Sequence, residues 1–367
     1  MNSAHFYLPT EVFEGTGCVR TQAEAWVLGR KALVVTGRTG ARQSGALEDL
    51  LTVLAERRVE SVLFDGVGPN PSEADVYAGA EKGVGCDFVV AVGGGSAMDA
   101  AKAMAWVIGS GIARSDFFSR RPTPADHVLP IVAVPLTCGT GSEVTPYAII
   151  TDHTEKTKVN VSGRALFPKV ALLDSRYLAS LPEQVLCDTA LDALSHAIEG
   201  AYSLRADACS MALGEAAIRV IMPELVRLAH GGFVNRAQLL HGAMLAGMVI
   251  AQTGTGLVHA MGYPLTYYRG VPHGRANGLL LSGYLDFMGQ SCRERTEKIL
   301  AMMGMTLPEE LQALVDMLFD RLGCERVAPS EEELRRFTRE PLRLEVVRRY
   351  RTMPSPEEVM DIYRTGF

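Results

Sequence analysis

The chain has 367 residues, 47% of them hydrophobic and 21% charged, with a formal net charge of −6. That length predicts two globular domains, and the acidic balance argues against nucleic acid or an anionic membrane surface as the main partner. No apolar run reaches membrane-span length, and the 7 cysteines lack metal-type or disulfide-framework spacing, which predicts reduced thiols in the cytoplasm.

Up to about residue 175, short apolar runs alternate with amphipathic segments. Strands are expected over residues 31–36, 62–64, 87–92 and 129–134, and helices over 46–57 and 73–83. Apolar strands joined by helical crossovers predict a parallel sheet covered on both faces. Ligands on such sheets bind beyond the carboxyl ends of the strands.

Two loops stand at such ends. Gly93-Gly94-Gly95-Ser96 leads into a helical run that carries Asp99. Glycines between a strand and a helix let the backbone approach an anion, and the helix N-terminus supplies N–H donors and a favourable dipole. A tight turn that needs glycine reads equally well. The segment from Pro135 to Glu143 follows the fourth strand and adds the hydroxyls of Thr137, Thr140 and Ser142. Two such loops after two strands predict a nucleotide site.

After Asp174 helical periods dominate, with helices expected over residues 206–228, 236–253, 292–304 and 308–322. Residues 191–200 read as a buried helix, with Gly200 as its stop. Asp192 and His196 fall one turn apart on one face of it. Buried charge needs a reason. A divalent metal is one, and a structural Asp–His pair is the other. His259 follows an apolar run, and His273 stands at a turn between Pro272 and Gly274. Taken singly, each histidine reads as a core or turn residue. Taken with Asp192 and His196, they offer oxygen and nitrogen ligands with no thiolate, which points to a catalytic metal site rather than a closed structural one.

In this order the motifs resemble those of the iron-dependent (group III) alcohol dehydrogenases. The resemblance spans nearly the whole chain. It rests on Phe13-Glu14-Gly15-Thr16-Gly17, Asn70-Pro71, Gly93-Gly94-Gly95-Ser96-Ala97-Met98-Asp99, Gly139-Thr140-Gly141-Ser142-Glu143-Val144-Thr145, Asp192-Ala193-Leu194-Ser195-His196-Ala197-Ile198-Glu199 and Pro272-His273-Gly274. It implies an α/β dinucleotide-binding domain with a parallel sheet over residues 1–178. An all-helical metal-binding and catalytic domain follows over 179–367, the architecture shared with dehydroquinate synthase. It implies one divalent iron, or zinc, on Asp192, His196, His259 and His273. It also implies a nicotinamide cofactor near Asn70, Gly94, Gly95, Ser96, Asp99, Thr137, Thr140, Ser142 and Lys158, and a homodimer.

The chain departs from the family pattern twice. Many members carry a further histidine four residues after the third ligand, where this chain has Tyr263. A proton-handling role therefore does not carry over; a phenol with a pKa of about 10 is a poor base at neutral pH, and Tyr263 is expected to act as a hydrogen-bond donor. Many members also end the strand that starts at Lys31 with an aspartate that binds ribose. Here the residues are Thr36-Gly37-Arg38. Loss of that carboxylate removes repulsion against a 2′-phosphate, and Arg38 can bind the phosphate bidentately, so NADP(H) is expected over NAD(H). The resulting expectation is a metal-dependent oxidoreductase moving a hydride between NADP(H) and a primary alcohol/aldehyde pair. The alternative is a lyase of the dehydroquinate-synthase type using the same metal and nicotinamide sites. That chemistry needs a pocket rich in Lys and Arg, and the apolar, aromatic residues 261–268 disfavour it.

Overall fold

The computed structural model describes residues 5–155, 157–326, 328–344, 347–348 and 350–367. The chain divides into two compact units. One is Leu8–Leu181; the other is Pro182–Phe367 together with residues 5–7.

The first unit carries strands β1 (Glu11–Glu14), β2 (Lys31–Gly37), β3 (Glu60–Val67), β4 (Phe88–Gly93), β5 (Ile131–Pro135), β6 (Tyr147–Asp152), β7 (Thr157–Ser162) and β8 (Val170–Leu173). Its helices are α1 (Cys18–Thr21), α2 (Ala23–Trp26), α3 (Gly40–Gln43), α4 (Ala46–Glu56), α5 (Glu73–Lys82) and α6 (Gly95–Ser110). Six strands form a parallel sheet in the order β1-β8-β5-β4-β2-β3, as an α/β domain requires. The four expected strands are all present, each with slightly different ends. Alternate residues of the central strands serve opposite cores. Leu33, Val35, Val89 and Ala91 pack with Met98 and Trp106 of α6, while Ala32, Val34, Val90 and Val92 pack with Leu47 and Leu50 of α4. Burial on both faces explains why these strands read as unbroken apolar runs. Strands β6 and β7 form a separate antiparallel hairpin.

From β2 the chain crosses to β3 on one side, and from β4 it crosses to β5 on the other. Strands β2 and β4 are neighbours, with Thr36 opposite Val92. The strand order therefore reverses between them, and their carboxyl ends flank the crevice where such sheets bind ligands.

The second unit is helical: α7 (Glu183–Tyr202), α8 (Ala208–Ala229), α9 (Arg236–Thr253), α10 (Leu257–Arg269), α11 (His273–Ser291), α12 (Arg293–Met302), α13 (Pro308–Leu322), α14 (Glu331–Arg339) and α15 (Pro356–Thr365). Helix α7 is buried nearly all round from Leu186 onward, as a central helix must be. Gly200 does not stop it. A Cβ at that position would run into Val249 of α9, so the glycine serves a close helix crossing and α7 continues to Tyr202. Helices α9 and α10 meet at 109°. Gly254, with φ 75°, takes up the turn between them. Among the described residues no single helix is long and apolar enough to cross a membrane.

Candidate functional site

In the helical unit the structure brings four predicted residues together. Asp192 and His196 lie mid-way along α7, and His259 sits in the first turn of α10. His273 is the first residue of α11 rather than part of a turn, with Pro272 as its N-cap. Asp192 Oδ1 lies 3.8 Å from His196 Nε2, 3.6 Å from His259 Nε2 and 3.7 Å from His273 Nε2. These separations exceed hydrogen-bond length. A tetrahedral ion with bonds of about 2.0–2.3 Å spaces its donor atoms roughly 3.3–3.7 Å apart. The donors are thus spaced as they would be around a shared divalent ion. His259 Nε2 is buried and makes no hydrogen bond, which fits the same purpose. Asp192, His196 and His259 are buried, while the His273 side chain is 31% exposed and gives the cluster its open side.

The electrostatics follow from this packing. Burial pushes the Asp192 carboxyl up, but His196, His259 and His273 outweigh it and hold the group well below the usual carboxylate range. Burial pushes His259 down, and the charges of Glu199 and Asp192 overcome it and raise the imidazole to about 9.

Several residues around the cluster were not singled out from the sequence. Glu199 is fully buried on α7 and accepts from His259 Nδ1 and from the Val258 backbone N–H at 2.6 Å. Asn277, one turn past His273, donates to Asp192 Oδ1 at 2.9 Å. Arg275 grips Asp188 with two bonds of 3.0 Å, tying α11 to α7. The Tyr263 ring stacks on His273, with centroids 5.8 Å apart and planes at 18°. The aromatic stretch beyond it divides: Met261, Pro264 and Leu265 are core, while Tyr267 and Tyr268 are exposed. Tyr268 stacks on Phe337 of α14.

In the α/β unit, Gly37 ends β2 and Gly93 ends the neighbouring β4. Gly94 caps α6 and Gly95 opens it, and no side chain caps that N-terminus. The free N–H donors of a 16-residue helix at a strand-order reversal fit a dinucleotide's phosphates. The glycines have a second use. A Cβ on Gly95 would lie 2.7 Å from Thr140, and one on Gly94 3.1 Å from Thr137, so the two loops can touch only because both residues are glycine.

Asn70 holds φ at 55°, donates its N–H to Ser96 Oγ at 3.4 Å and accepts from Thr151 Oγ1. Ser142 Oγ donates to Asp99 Oδ1 at 2.8 Å, and Asp99 Oδ2 accepts from the Ile149 N–H. Lys102, fully buried, donates to Ser142 Oγ, Thr145 O and Tyr147 O at 2.7, 2.9 and 2.9 Å. Burial raises the Asp99 carboxyl, opposed by Lys102 and by Lys158 on the hairpin. Thus Asp99 and Ser142 hold the loop framework, while Thr137 and Thr140 line the glycine pair. Arg38 is exposed just past Gly37, and Arg42 is engaged with Asp65 at 3.0 Å.

Comparison with known proteins agrees with this geometry. The family model described as iron-containing alcohol dehydrogenase matches residues 9–175, and the one for the C-terminal part of the Fe-containing family matches residues 186–326. The chain is similar to the NADPH-dependent butanol dehydrogenase of Clostridium saccharobutylicum, with 30% identity over 85% of this chain and 82% of that one. It is 33% identical to the lactaldehyde reductase of Escherichia coli, over 79% of this chain and 78% of that one. A solved iron-containing alcohol dehydrogenase from Thermotoga maritima shares 36% identity with a TM-score of 0.89, covering 99% of each chain. On the strength of both family matches and these relatives, the chain belongs to the iron-containing alcohol dehydrogenase family.

Proposed function

We propose that the protein moves a hydride between NADP(H) and a primary alcohol/aldehyde pair, using one divalent iron or zinc held by Asp192, His196, His259 and His273. The same reading has it act as a cytoplasmic homodimer. The observation that carries it is the convergence of one carboxylate and three imidazoles, with Asp192 Oδ1 3.6–3.8 Å from each ring nitrogen and no sulfur among them. When bound, the divalent ion supplies Lewis acidity toward the alcohol or carbonyl oxygen, and the nicotinamide carries the hydride. The protein's own part is orientation. Asn277 steadies the Asp192 oxygen, and the Tyr263 ring stacks on His273 and braces it. The α6 N-terminus, Gly94, Gly95, Ser96, Thr137 and Thr140 hold the diphosphate, Asn70, Asp99 and Ser142 hold those loops in place, and Lys158 brings a cation to the cofactor near Asp99.

Cofactor choice rests on Gly37 and Arg38. A Cβ at Gly37 would meet only Val67 O, at 3.7 Å, so no close contact at the Cβ forces glycine there. That leaves room for a 2′-phosphate next to Arg38. Charge-assisted bonds of about 1.5–3 kcal/mol correspond to roughly a tenfold to hundredfold preference. The similar butanol dehydrogenase is named as NADPH-dependent, which supports the reading. The relatives and both family matches are alcohol and aldehyde oxidoreductases, which favours this reading over a lyase of the dehydroquinate-synthase type. The test is kcat/KM for NADPH and NADH with a panel of short aldehydes on anaerobically iron-loaded protein. NADPH should win, and Gly37→Asp should shift preference toward NADH; equal use of both by the wild type would reject the assignment.

A further inference from the structure

We propose that Glu199 is a positioning residue that fixes the tautomer of His259 and so commits its Nε2 to the metal; this rests on the metal reading above. Glu199 lies on the same helix as Asp192 and His196, seven and three residues further on, and is fully buried. Each of its oxygens takes one donor. Oε1 accepts from the Val258 N–H at 2.6 Å, and Oε2 accepts from His259 Nδ1.

The Val258 N–H belongs to the first turn of α10, where no helical carbonyl is available to it. The N-cap there is Gly256, which supplies no side-chain cap. Helix α7 therefore caps α10 with the same carboxylate that holds His259. With a carboxylate oxygen accepting at Nδ1, the neutral imidazole that a metal requires keeps its proton on Nδ1 and its lone pair on Nε2. That Nε2 is the atom 3.6 Å from Asp192 Oδ1. One buried side chain thus sets both the start of the helix that carries the ligand and the nitrogen that is free to bind.

A glutamine cannot do both jobs. Its single oxygen can serve Val258 or His259, and its amide N–H₂ then faces the other N–H. If the oxygen keeps Val258, the amide donates to His259 Nδ1, the imidazole proton moves to Nε2, and that nitrogen can no longer ligate. Loss of such a partner typically weakens metal binding about 10- to 100-fold.

The experiment has two arms. In the first, two-bond proton–nitrogen NMR on zinc-loaded, histidine-labelled wild type reads the ring of His259 directly. A protonated Nδ1 with zinc on Nε2 is expected; a protonated Nε2 overturns the proposal. In the second, chelator competition on Glu199→Gln should show zinc binding about 10- to 100-fold weaker than wild type. The cobalt-substituted variant should show an altered visible absorption band. Unchanged zinc affinity together with an unchanged cobalt spectrum overturns the proposal, and if this variant fails to fold the wild-type NMR decides alone. Wild type that binds no zinc defeats the metal assignment and this inference with it, whereas zinc bound with the other tautomer defeats this inference only.

Discussion

Glu143 shows how a single buried group sets pH behaviour. It sits in the second glycine loop at 2% exposure. Burial pushes its carboxyl up to about 7, opposed by its own backbone N–H and by Lys102. A folded-state value above the unfolded one means the fold favours the protonated form. The stability contributed is complete below about pH 4.5 and is lost as pH rises through 7. Glu143→Gln removes this loss. Relative to wild type the variant should be nearly neutral at pH 4 and more stable at pH 8, by up to about 3 kcal/mol. Urea midpoints across that range check it, and a variant no better than wild type at pH 8 would sink the argument. The metal-site residues were legible at this scale because they are chemically out of place. Asp192 and His196 interrupt an apolar helix, and that needs no tertiary knowledge to notice. Glu199 stands in the same stretch, but its partner His259 is 60 residues away, and spacing along one helix does not reveal such a contact. Asn277 escaped notice for the same reason, its partner Asp192 lying 85 residues back.

Among the elements, α7 and α11 make the closest approach that matters to the site. Gly274 and Gly278 face α7. A Cβ on Gly274 would run into the Asp188 carbonyl and lie 3.0 Å from Asp192 Cβ, while one on Gly278 would meet the Leu191 side chain at 2.7 Å. Backbone cannot yield as a leucine rotamer can. Gly274→Ala should therefore force the helices apart, cost about 1–3 kcal/mol and carry His273 away from Asp192. Gly278→Ala should cost less and keep the metal. Melting temperature and metal content of the two variants compare them, and equal behaviour would refute the distinction. The strands that could be read from sequence were those buried on both faces, where apolar side chains run unbroken. Strands β1 and β8 were missed because each has only four residues, too few to show a period. The hairpin of β6 and β7 was missed because its second strand is largely polar and partly exposed.

For the molecule as a whole, the cysteines give a direct test of how closed the fold is. Cys18, Cys86, Cys138, Cys187 and Cys324 are buried, Cys292 is intermediate and Cys209 is exposed. Burial pushes the Cys18 thiol up to about 12, so it also lacks the reactive thiolate. A thiol reagent should modify Cys209 quickly and Cys292 more slowly in the native protein, and all 7 after denaturation. Rapid modification of four or more would contradict this packing. The change from strand–helix alternation to helical periods is visible in the sequence. That residues 5–7 join the helical unit is not, because the pair that ties them down spans 245 residues of sequence. The Tyr7 N–H and carbonyl bond to Gln252 at 3.1 and 3.0 Å.

The pairing of β1 with β8 has a consequence for biosynthesis. β1 leaves the ribosome more than 150 residues ahead of its partner residues, Val170 to Leu173. At roughly 5–20 residues per second it waits about ten to thirty seconds for them. A nascent strand with no partner is an invitation to pair with a neighbouring chain. Its two ends are Glu11 and Glu14, both exposed. Carboxylates at both ends of a short strand oppose edge pairing with a like-charged copy while its own partner is still being made.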